Sequence, residues 1–144
     1  MRLLRAQGIV YSRTTLATNS FDLPKDFLQW HPTCHHNHHL LETTQRFLEV
    51  SGYLTMPLLY VWGHSYEFPR DDNWEVMEDF LRLVSGKDEI WFATNMEIYR
   101  YVQAQRSLEF SMDCSTVYNP SAISVWIGVD DKAVEIKPNQ VQGL

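Results

Sequence analysis

The stretch Pro57-Leu-Leu-Tyr-Val-Trp-Gly-His-Ser-Tyr-Glu-Phe68 decides the fold class, because a short apolar run in it leads directly into reactive side chains. Its segment Leu58–Trp62 is apolar, aromatic and β-branched and lies between a proline and a glycine, which is typical of a strand buried on both faces of a parallel sheet. Ligands of parallel α/β proteins bind at the carboxyl ends of the strands. We therefore expect a site that contains His64 and Glu67. The alternative is that both side chains only hydrogen-bond a loop.

The composition indicates one globular domain. A chain of 144 residues with 44% hydrophobic content can bury a sizeable core. The net charge of -6 and the lack of a basic run argue against a nucleic-acid partner. Cys34 and Cys114 are too few and too far apart for a disulfide framework. Because no segment has the apolar length of a signal peptide or a membrane span, we expect a cytoplasmic protein with no membrane partner.

A strand and a loop are predicted before the central stretch. Gly8–Thr15 begins with a glycine and is rich in β-branched and aromatic residues, so we expect a strand whose end presents Arg13 as a candidate catalytic residue. Residues 19–30 have loop chemistry. Within them Pro24 suits the first position of a short helical turn, and Trp30 is expected at the edge of the core.

Five of the six histidines lie between His31 and His39. Their spacing matches neither His-Glu-x-x-His nor a Cys/His zinc pattern. Leu40–Val50 has helical periodicity, so the histidines from 35 onward should lie on the loop and first turn that lead into this helix. At most one or two of them can point into a site at the strand ends. His35 and His36 are the candidates for a metal or substrate role.

Helices and strands alternate after the central stretch. Trp74–Val84 is predicted to be a helix that turns apolar residues inward, among them Trp74 and Leu81. Glu89–Thr94 has the pattern of a buried strand, and Asn95 is expected to cap a helix that runs from residue 96 to about residue 105. This alternation favours a parallel α/β sheet or barrel with right-handed crossovers.

The tail of the chain has a different character, because short strand patterns separated by turns predict antiparallel β structure. These patterns cover Ser107–Ser111, Ser115–Tyr118, Ala122–Val129 and Ala133–Lys137. The last two are expected to form a hairpin laid against the α/β part. The predicted organisation is therefore an α/β part over residues 1–106 and an antiparallel β tail over residues 107–144.

Several segments together resemble the C-terminal half of a polysaccharide deacetylase of the NodB-homology group, carbohydrate esterase family 4, and most of all its bacterial branch grouped with gellan lyase-like proteins. The resemblance covers nearly the whole chain and is fairly specific. It rests on Gly8-Ile-Val-Tyr-Ser-Arg13, Phe21-Asp-Leu-Pro-Lys-Asp-Phe-Leu-Gln-Trp30, Pro32-Thr-Cys-His-His36, Tyr60-Val-Trp-Gly-His-Ser-Tyr-Glu-Phe68 and Asn119-Pro-Ser-Ala122.

The resemblance implies roles for individual residues. Trp62-Gly63-His64 is similar to the Leu-x-His strand that supplies a general acid in this family, with Trp62 in place of the leucine. Arg13 resembles the arginine that orients the general base, although Thr14-Thr15 replaces the Pro-Tyr that usually follows. Asp26 to Trp30 loosely resembles Asp-x-x-Asp-Trp, with Gln29 at the second aspartate.

The family's Thr-Phe-Asp-Asp motif is missing, and so no His-x-x-x-His pair follows such a motif as it does in the family. A lone general acid contributes only about 10²–10⁴-fold to such a reaction. The resemblance therefore implies a partial (β/α) barrel and a metal-dependent deacetylase that would be inactive alone, with a divalent metal such as zinc whose ligands are not identified in this chain. Another copy of the chain or a complementing N-terminal half should cover the open side of such a barrel.

Two alternatives to an enzyme part stay open. One is a non-catalytic carbohydrate-binding or vestigial domain whose sugar-contacting surface includes Trp30, Trp62, Tyr66 and the His/Glu cluster. In either case a polysaccharide is the expected partner, and we expect substrate contacts from these aromatic residues, His35 and His36. The other alternative is a compact α/β domain of unrelated function that happens to share a strand end.

Overall fold

The structure is a computed structural model that describes residues 2–50 and 56–144. Its contacts divide the chain into two compact units, Met1–Trp91 and Phe92–Leu144. The described residues form a mixed α/β structure with small sheets. The predicted partial barrel stays a prediction. Within the described ranges no helix combines the length and apolarity that crossing a membrane requires.

The first unit contains most of the helices and the parallel strands. Helix α1 begins the unit and a 3-10 turn at Phe27–Gln29 follows, close to the short turn predicted after Pro24. The ordered elements are α1 (Arg2–Ala6), β1 (Cys34–His35), α2 (Leu40–Glu49), β2 (Val61–Trp62), α3 (Glu67–Asp71) and α4 (Trp74–Val84).

Parallel pairing connects three segments of this unit. In β1 and β2, Cys34 pairs with Val61 and His35 with Trp62, in parallel. The segment that leads into β1 also makes a parallel bridge from Trp30 to Arg13, with hydrogen bonds of 3.0 Å on either side. The predicted parallel arrangement is therefore present here, but the strands are shorter than predicted. Gly8–Thr15 contributes a single bridge, and Leu58–Trp62 contributes only its last two residues.

The core of the first unit is built around Trp30. This side chain is 1% exposed, and its ring lies 4.9 Å from the rings of both Phe27 and Tyr60. Helix α2 buries Leu40, Thr43 and Thr44 and contacts α4.

The prediction for α4 is correct in its bounds but partly wrong in its faces. Val84 is buried as predicted, whereas Trp74 and Leu81 are 52% and 51% exposed. Periodicity shows which residues share a helix face, but the width of the face that neighbours cover depends on tertiary packing.

The second unit begins with a helix and continues in antiparallel strands. Helix α5 (Asn95–Arg106) belongs to this unit by its contacts, whereas the sequence analysis grouped it with the α/β part. The strands are β3 (Glu109–Phe110), β4 (Thr116–Tyr118), β5 (Val125–Val129), β6 (Lys132–Ile136) and β7 (Val141–Gly143).

Two predictions before α5 are wrong. Glu89–Thr94 is not a strand, and Trp91 and Phe92 are 58% and 62% exposed. The N-cap is Thr94 instead of Asn95, because the Thr94 hydroxyl accepts from the backbone N–H of Glu97 while the Glu97 carboxylate accepts from the backbone N–H of Thr94. This reciprocal capping box fixes Thr94 as the first residue of the helix terminus, so Thr94 cannot continue a strand.

The predicted hairpin in the tail is confirmed. Strands β5 and β6 pair antiparallel from Val125 opposite Ile136 to Val129 opposite Lys132. The two loop residues, Asp130 and Asp131, have φ of 46° and 62°, as the preferred two-residue hairpin turn requires. Strand β7, which was not predicted from the sequence, pairs with β4, and β4 also pairs with β3.

Candidate functional site

The candidate site lies where β1 and β2 end. Because β1 and β2 are parallel and His35 is paired with Trp62, both strands end at the same edge of the sheet. The backbone N–H of His36 still donates to the Trp62 carbonyl at 2.9 Å, so the two backbone segments remain side by side for one more residue. This is the strand-end position in which the sequence predicted a site.

Glu67, the first residue of α3, connects the side chains at this edge. Its backbone N–H donates to the His64 carbonyl at 3.0 Å, and its Oε2 accepts from the backbone N–H of His64 at 2.9 Å. The same Oε2 lies 3.2 Å from His35 Nε2 and 3.5 Å from His36 Nε2. One nearly buried carboxylate oxygen therefore faces two imidazole rings.

His36 is the most buried of these histidines, at 3% exposure. Its ring stacks on Phe68 with the centroids 4.4 Å apart, and Gly63 lies on it so closely that a Cβ there would be 1.6 Å from Nδ1. Among the described residues, its buried Nε2 has no hydrogen-bond partner. Buried polar atoms in native proteins are almost always partnered, so this nitrogen, which lies beside the Glu67 carboxylate and the His35 ring, can take a ligand.

His35 is held by contacts on several sides. Its ring packs edge-on against Trp62 at 4.6 Å and stacks on His36 at 4.5 Å. Its Nδ1 accepts from the backbone N–H of Asn37 at 3.2 Å, which assigns the proton of the neutral ring to Nε2, facing Glu67.

Burial and hydrogen bonding shift the protonation equilibria at this site. Burial lowers the pKa of His35, although the Glu67 carboxylate opposes this effect. The pKa of Glu67 is lowered mainly by the backbone N–H of His64 and further by the neighbouring histidines. The charged form of Glu67 is therefore favoured beside a His35 ring that tends to be neutral. Burial also raises the pKa of the Cys34 thiol in β1 to about 11, so this thiol stays protonated and unreactive near neutral pH.

The solvent side of the site is aromatic and basic. His64 is exposed, stacks on Tyr66 with the centroids 5.1 Å apart, and lies edge-on to Trp62 at 5.9 Å. The guanidinium carbon of Arg13 lies 4.4 Å above the Trp62 ring. The structure thus brings together all the predicted site residues except Trp30. That ring is buried in the core, so the prediction that Trp30 contacts a sugar is corrected.

The structure also adds residues that sequence reasoning missed. Gly63 and Phe68 hold the His36 ring, and Asn37 donates to Asp71 and accepts from Asn73, both at 2.8 Å. These bonds connect the loop after β1 to the segment around α3. Gly63 carried a signal, because a glycine directly after a buried strand often marks a close approach, but its partner could not be read from the sequence.

The spacing His-x-x-x-His does occur in the chain, at His31/His35 and at His35/His39. The structure gives the outer members other partners. His31 Nδ1 hydrogen-bonds the Thr14 hydroxyl at 2.6 Å, and the exposed His39 lies 3.5 Å from Glu42.

Within the described residues, the group that could hold a metal ion is His35, His36 and Glu67. The deacetylase resemblance implies one aspartate and two histidines, so the residues present do not fit that ligand set. Comparisons of the chain with protein-family models, with curated proteins and with solved structures find no match.

Proposed function

We propose that this chain is the carbohydrate-contacting, acid-supplying part of a deacetylase-like hydrolase that removes acetyl groups from a polysaccharide. The observation that carries the proposal is the position of His64, which is exposed at the end of β2 between Trp62 and Tyr66. A general acid must reach the leaving group of the substrate, and an exposed imidazole at a strand end can do so.

The surroundings of His64 suit a sugar. Tyr66 is 61% exposed and presents an aromatic face with a polar tip, which matches the mixed apolar and hydroxylated faces of a pyranose ring. Arg13 over the Trp62 ring adds hydrogen-bond donors at the same edge.

Each side chain then has a role in the proposed reaction. His64 donates a proton to the departing amine or alkoxide, which favours cleavage of the acetyl bond. Glu67 accepts a hydrogen bond from the backbone N–H of His64 and so fixes the position of the backbone that carries the imidazole. Glu67 is therefore a positioning residue. The Thr-Phe-Asp-Asp motif is not among the 144 residues, so the general base has to come from elsewhere in the assembled enzyme.

The test uses acetylated chito-oligosaccharide and measures binding and acetate release separately. We expect the protein to bind the oligosaccharide, and Tyr66→Ala to weaken binding by more than about 10-fold because a stacking face is lost. Trp126→Ala removes another half-exposed aromatic ring, from strand β5, and should leave binding unchanged.

Acetate release then shows whether the protein is only part of an enzyme or a complete enzyme. We expect no release by the protein with added zinc, cobalt or nickel, because the base motif is missing. Release above that of a His64→Ala control would show that the site is complete within this chain. Failure to bind any acetylated oligosaccharide would contradict the proposal.

The second candidate function is a binding domain without catalysis. It is favoured by the same exposed Tyr66 ring, which binds a sugar whether or not His64 donates a proton. In that case oligosaccharide binding is retained in His64→Ala, and adding a protein that carries Thr-Phe-Asp-Asp does not restore acetate release.

A further inference from the structure

We propose that His35, His36 and Glu67 form a binding site for one zinc ion, with ligands different from those that the deacetylase resemblance implies. The inference does not depend on the proposed function, because it rests on these three side chains and not on a sugar.

The distances fit a zinc ion. Zinc binds imidazole nitrogen and carboxylate oxygen at about 2.0–2.2 Å, which places two ligand atoms of a tetrahedral site about 3.3–3.6 Å apart. Glu67 Oε2 lies 3.2 Å from His35 Nε2 and 3.5 Å from His36 Nε2, and all three atoms are within 4.8 Å of one another. An ion can be accommodated by small movements of the His35 and Glu67 side chains.

The unpartnered nitrogen of His36 is an independent indication. The ring is 3% exposed, and its Nε2 lies 3.5 Å from Glu67 Oε2 without a hydrogen bond to any described residue. Phe68 on one face and Gly63 beside Nδ1 prevent the ring from turning to find another partner. A metal ion would complete the coordination of this nitrogen without moving the ring.

A hydrogen bond from His35 to Glu67 explains part of the cluster without a metal. With Asn37 donating to Nδ1, the ring proton lies on Nε2 and can be donated to Glu67 over 3.2 Å. Binding zinc at Nε2 moves that proton to Nδ1, so the bond from Nε2 to Glu67 and the bond from Asn37 are both given up. The bonds from zinc to Nε2 and to Glu67 Oε2 compensate for this loss. This alternative leaves His36 Nε2 unexplained, whereas a zinc ion accounts for both rings.

The donor set indicates which ion. Two imidazoles and one carboxylate suit zinc, while magnesium and calcium prefer oxygen ligands only. Three protein ligands leave a fourth position for water, the arrangement of zinc sites that do chemistry. His35 and Glu67 have side chains 12% and 11% exposed, so the ion can enter from the solvent side.

The first experiment measures zinc binding by the full chain after removal of metals with a chelator. We expect one zinc ion per chain by calorimetry and elemental analysis, and a Tm that rises with zinc concentration. Cobalt in place of zinc should give the intense visible absorption of a tetrahedral site. Failure to bind zinc, or cobalt absorption typical of six-coordinate surface binding, would overturn the proposal.

The second experiment assigns the ligands. We expect His36→Leu and Glu67→Gln each to weaken zinc binding by more than about 100-fold, because each removes a direct ligand. His39→Asn is the matched control: it removes an exposed histidine four residues from His35 and keeps a side chain that tolerates its positive φ of 53°. Zinc affinity should be unchanged in this control.

The remaining outcomes also decide the question. Zinc binding that survives in both His36→Leu and Glu67→Gln, or that is lost in His39→Asn, places the ion on surface histidines and overturns the proposal. If a ligand variant fails to fold, the cobalt spectrum and the number of imidazole rings from multiple scattering in X-ray absorption of the wild-type protein still distinguish two imidazoles from any other ligand set.

Discussion

Each of the two units buries a polar side chain, but the two side chains differ in how their hydrogen bonds are satisfied. In Phe92–Leu144, Asn119 is 0% exposed; its Nδ2 donates to the carbonyls of Ile123 and Ile136 at 2.8 and 2.9 Å. Its Oδ1 accepts from the N–H and the hydroxyl of Ser121 at 2.9 and 2.7 Å. An asparagine side chain can make no more than these four bonds.

His36 in Met1–Trp91 is nearly as buried, yet its Nε2 has no hydrogen bond within the described part of the chain. A buried polar group that is fully bonded stabilises the fold, whereas one left unbonded costs free energy and persists where a ligand uses it. The comparison therefore teaches that polarity and burial alone do not identify a site. Nor does an unsatisfied atom alone, since Trp30 Nε1 in the core has no partner among the described residues either. What distinguishes His36 is that its unpartnered Nε2 lies beside a second imidazole and a carboxylate, and this difference leads to different expectations for mutations in the two units.

The largest effect is expected for Asn119→Leu. The substitution leaves the Ile123 and Ile136 carbonyls without their donor inside the unit, and each buried group left unsatisfied costs about 1–3 kcal/mol. We expect the free energy of unfolding in urea to fall by at least about 3 kcal/mol.

His36→Leu is the corresponding change in the other unit and should cost less than about 1.5 kcal/mol, because the volume is nearly conserved and no bond of Nε2 is lost. Equal losses would show that the distinction between the two side chains is wrong.

The next effect concerns space instead of hydrogen bonds. In Gly63→Ala the new Cβ would lie 1.6 Å from His36 Nδ1, so either the imidazole or the end of β2 has to move. We expect a loss of about 1–3 kcal/mol of unfolding free energy, together with weaker zinc binding. Gly128→Ala in β5 is the matched control, since nothing lies within 4 Å of a Cβ there, and it should change stability by less than about 0.5 kcal/mol. Thermal denaturation of both variants measures the difference, and a Gly63→Ala protein as stable as the control would mean that the His36 ring is not fixed in this position.

The parts of the fold that the sequence predicted correctly are those determined by local pattern. The bounds of α4, the start of α2 at Leu40 and the β5–β6 hairpin follow from periodicity and from a two-residue turn. The histidine prediction is correct only for residues 36–39, because His35 is the last residue of strand β1 and not part of the loop. The site was predicted at the end of β2 because strand ends collect ligands in parallel sheets. The clustering of His35, His36 and Glu67 with His64 is consistent with that expectation.

The parts that the sequence did not predict depend on contacts between distant residues. Glu89–Thr94 has the composition of a strand, but a strand also needs a partner, and the capping box of Thr94 commits this end of the segment to a helix. The sequence left Trp30 open between a position at the edge of the core and a sugar contact, and its contacts with Phe27 and Tyr60 show that it is core. Which of five clustered histidines is buried was likewise not encoded in their spacing.

The smallest effect is expected for two carboxylates, one in each unit, whose pKa values are both lowered. Asp113 Oδ1 accepts from the Ser111 hydroxyl at 2.8 Å and from the N–H and the hydroxyl of Ser115 at 3.1 and 2.8 Å, which lowers its pKa to about 2. An acid with a lowered pKa stabilises the folded state above its usual pKa, and this contribution is lost as the pH falls toward the folded value. The pH dependence of stability should therefore include a contribution from Asp113 between about pH 4 and pH 2, which Asp113→Asn removes. The contribution is small because Asp113 is exposed.

Side-chain carboxyl NMR during an acid titration measures Asp113 and Glu67 in the same sample, and zinc separates them. Asp113 is satisfied within its own turn, so its titration should not respond to zinc. Glu67 also has a lowered pKa, but its Oε2 faces His36 as well as the His64 backbone. A metal ion competes with protons for this oxygen, so zinc should move the titration of Glu67 to still lower pH and leave Asp113 as it was. If zinc shifted the titration of both carboxylates, or of neither, the proposed difference between Asp113, which is bonded within its own turn, and Glu67, which can bind a metal ion, would be wrong.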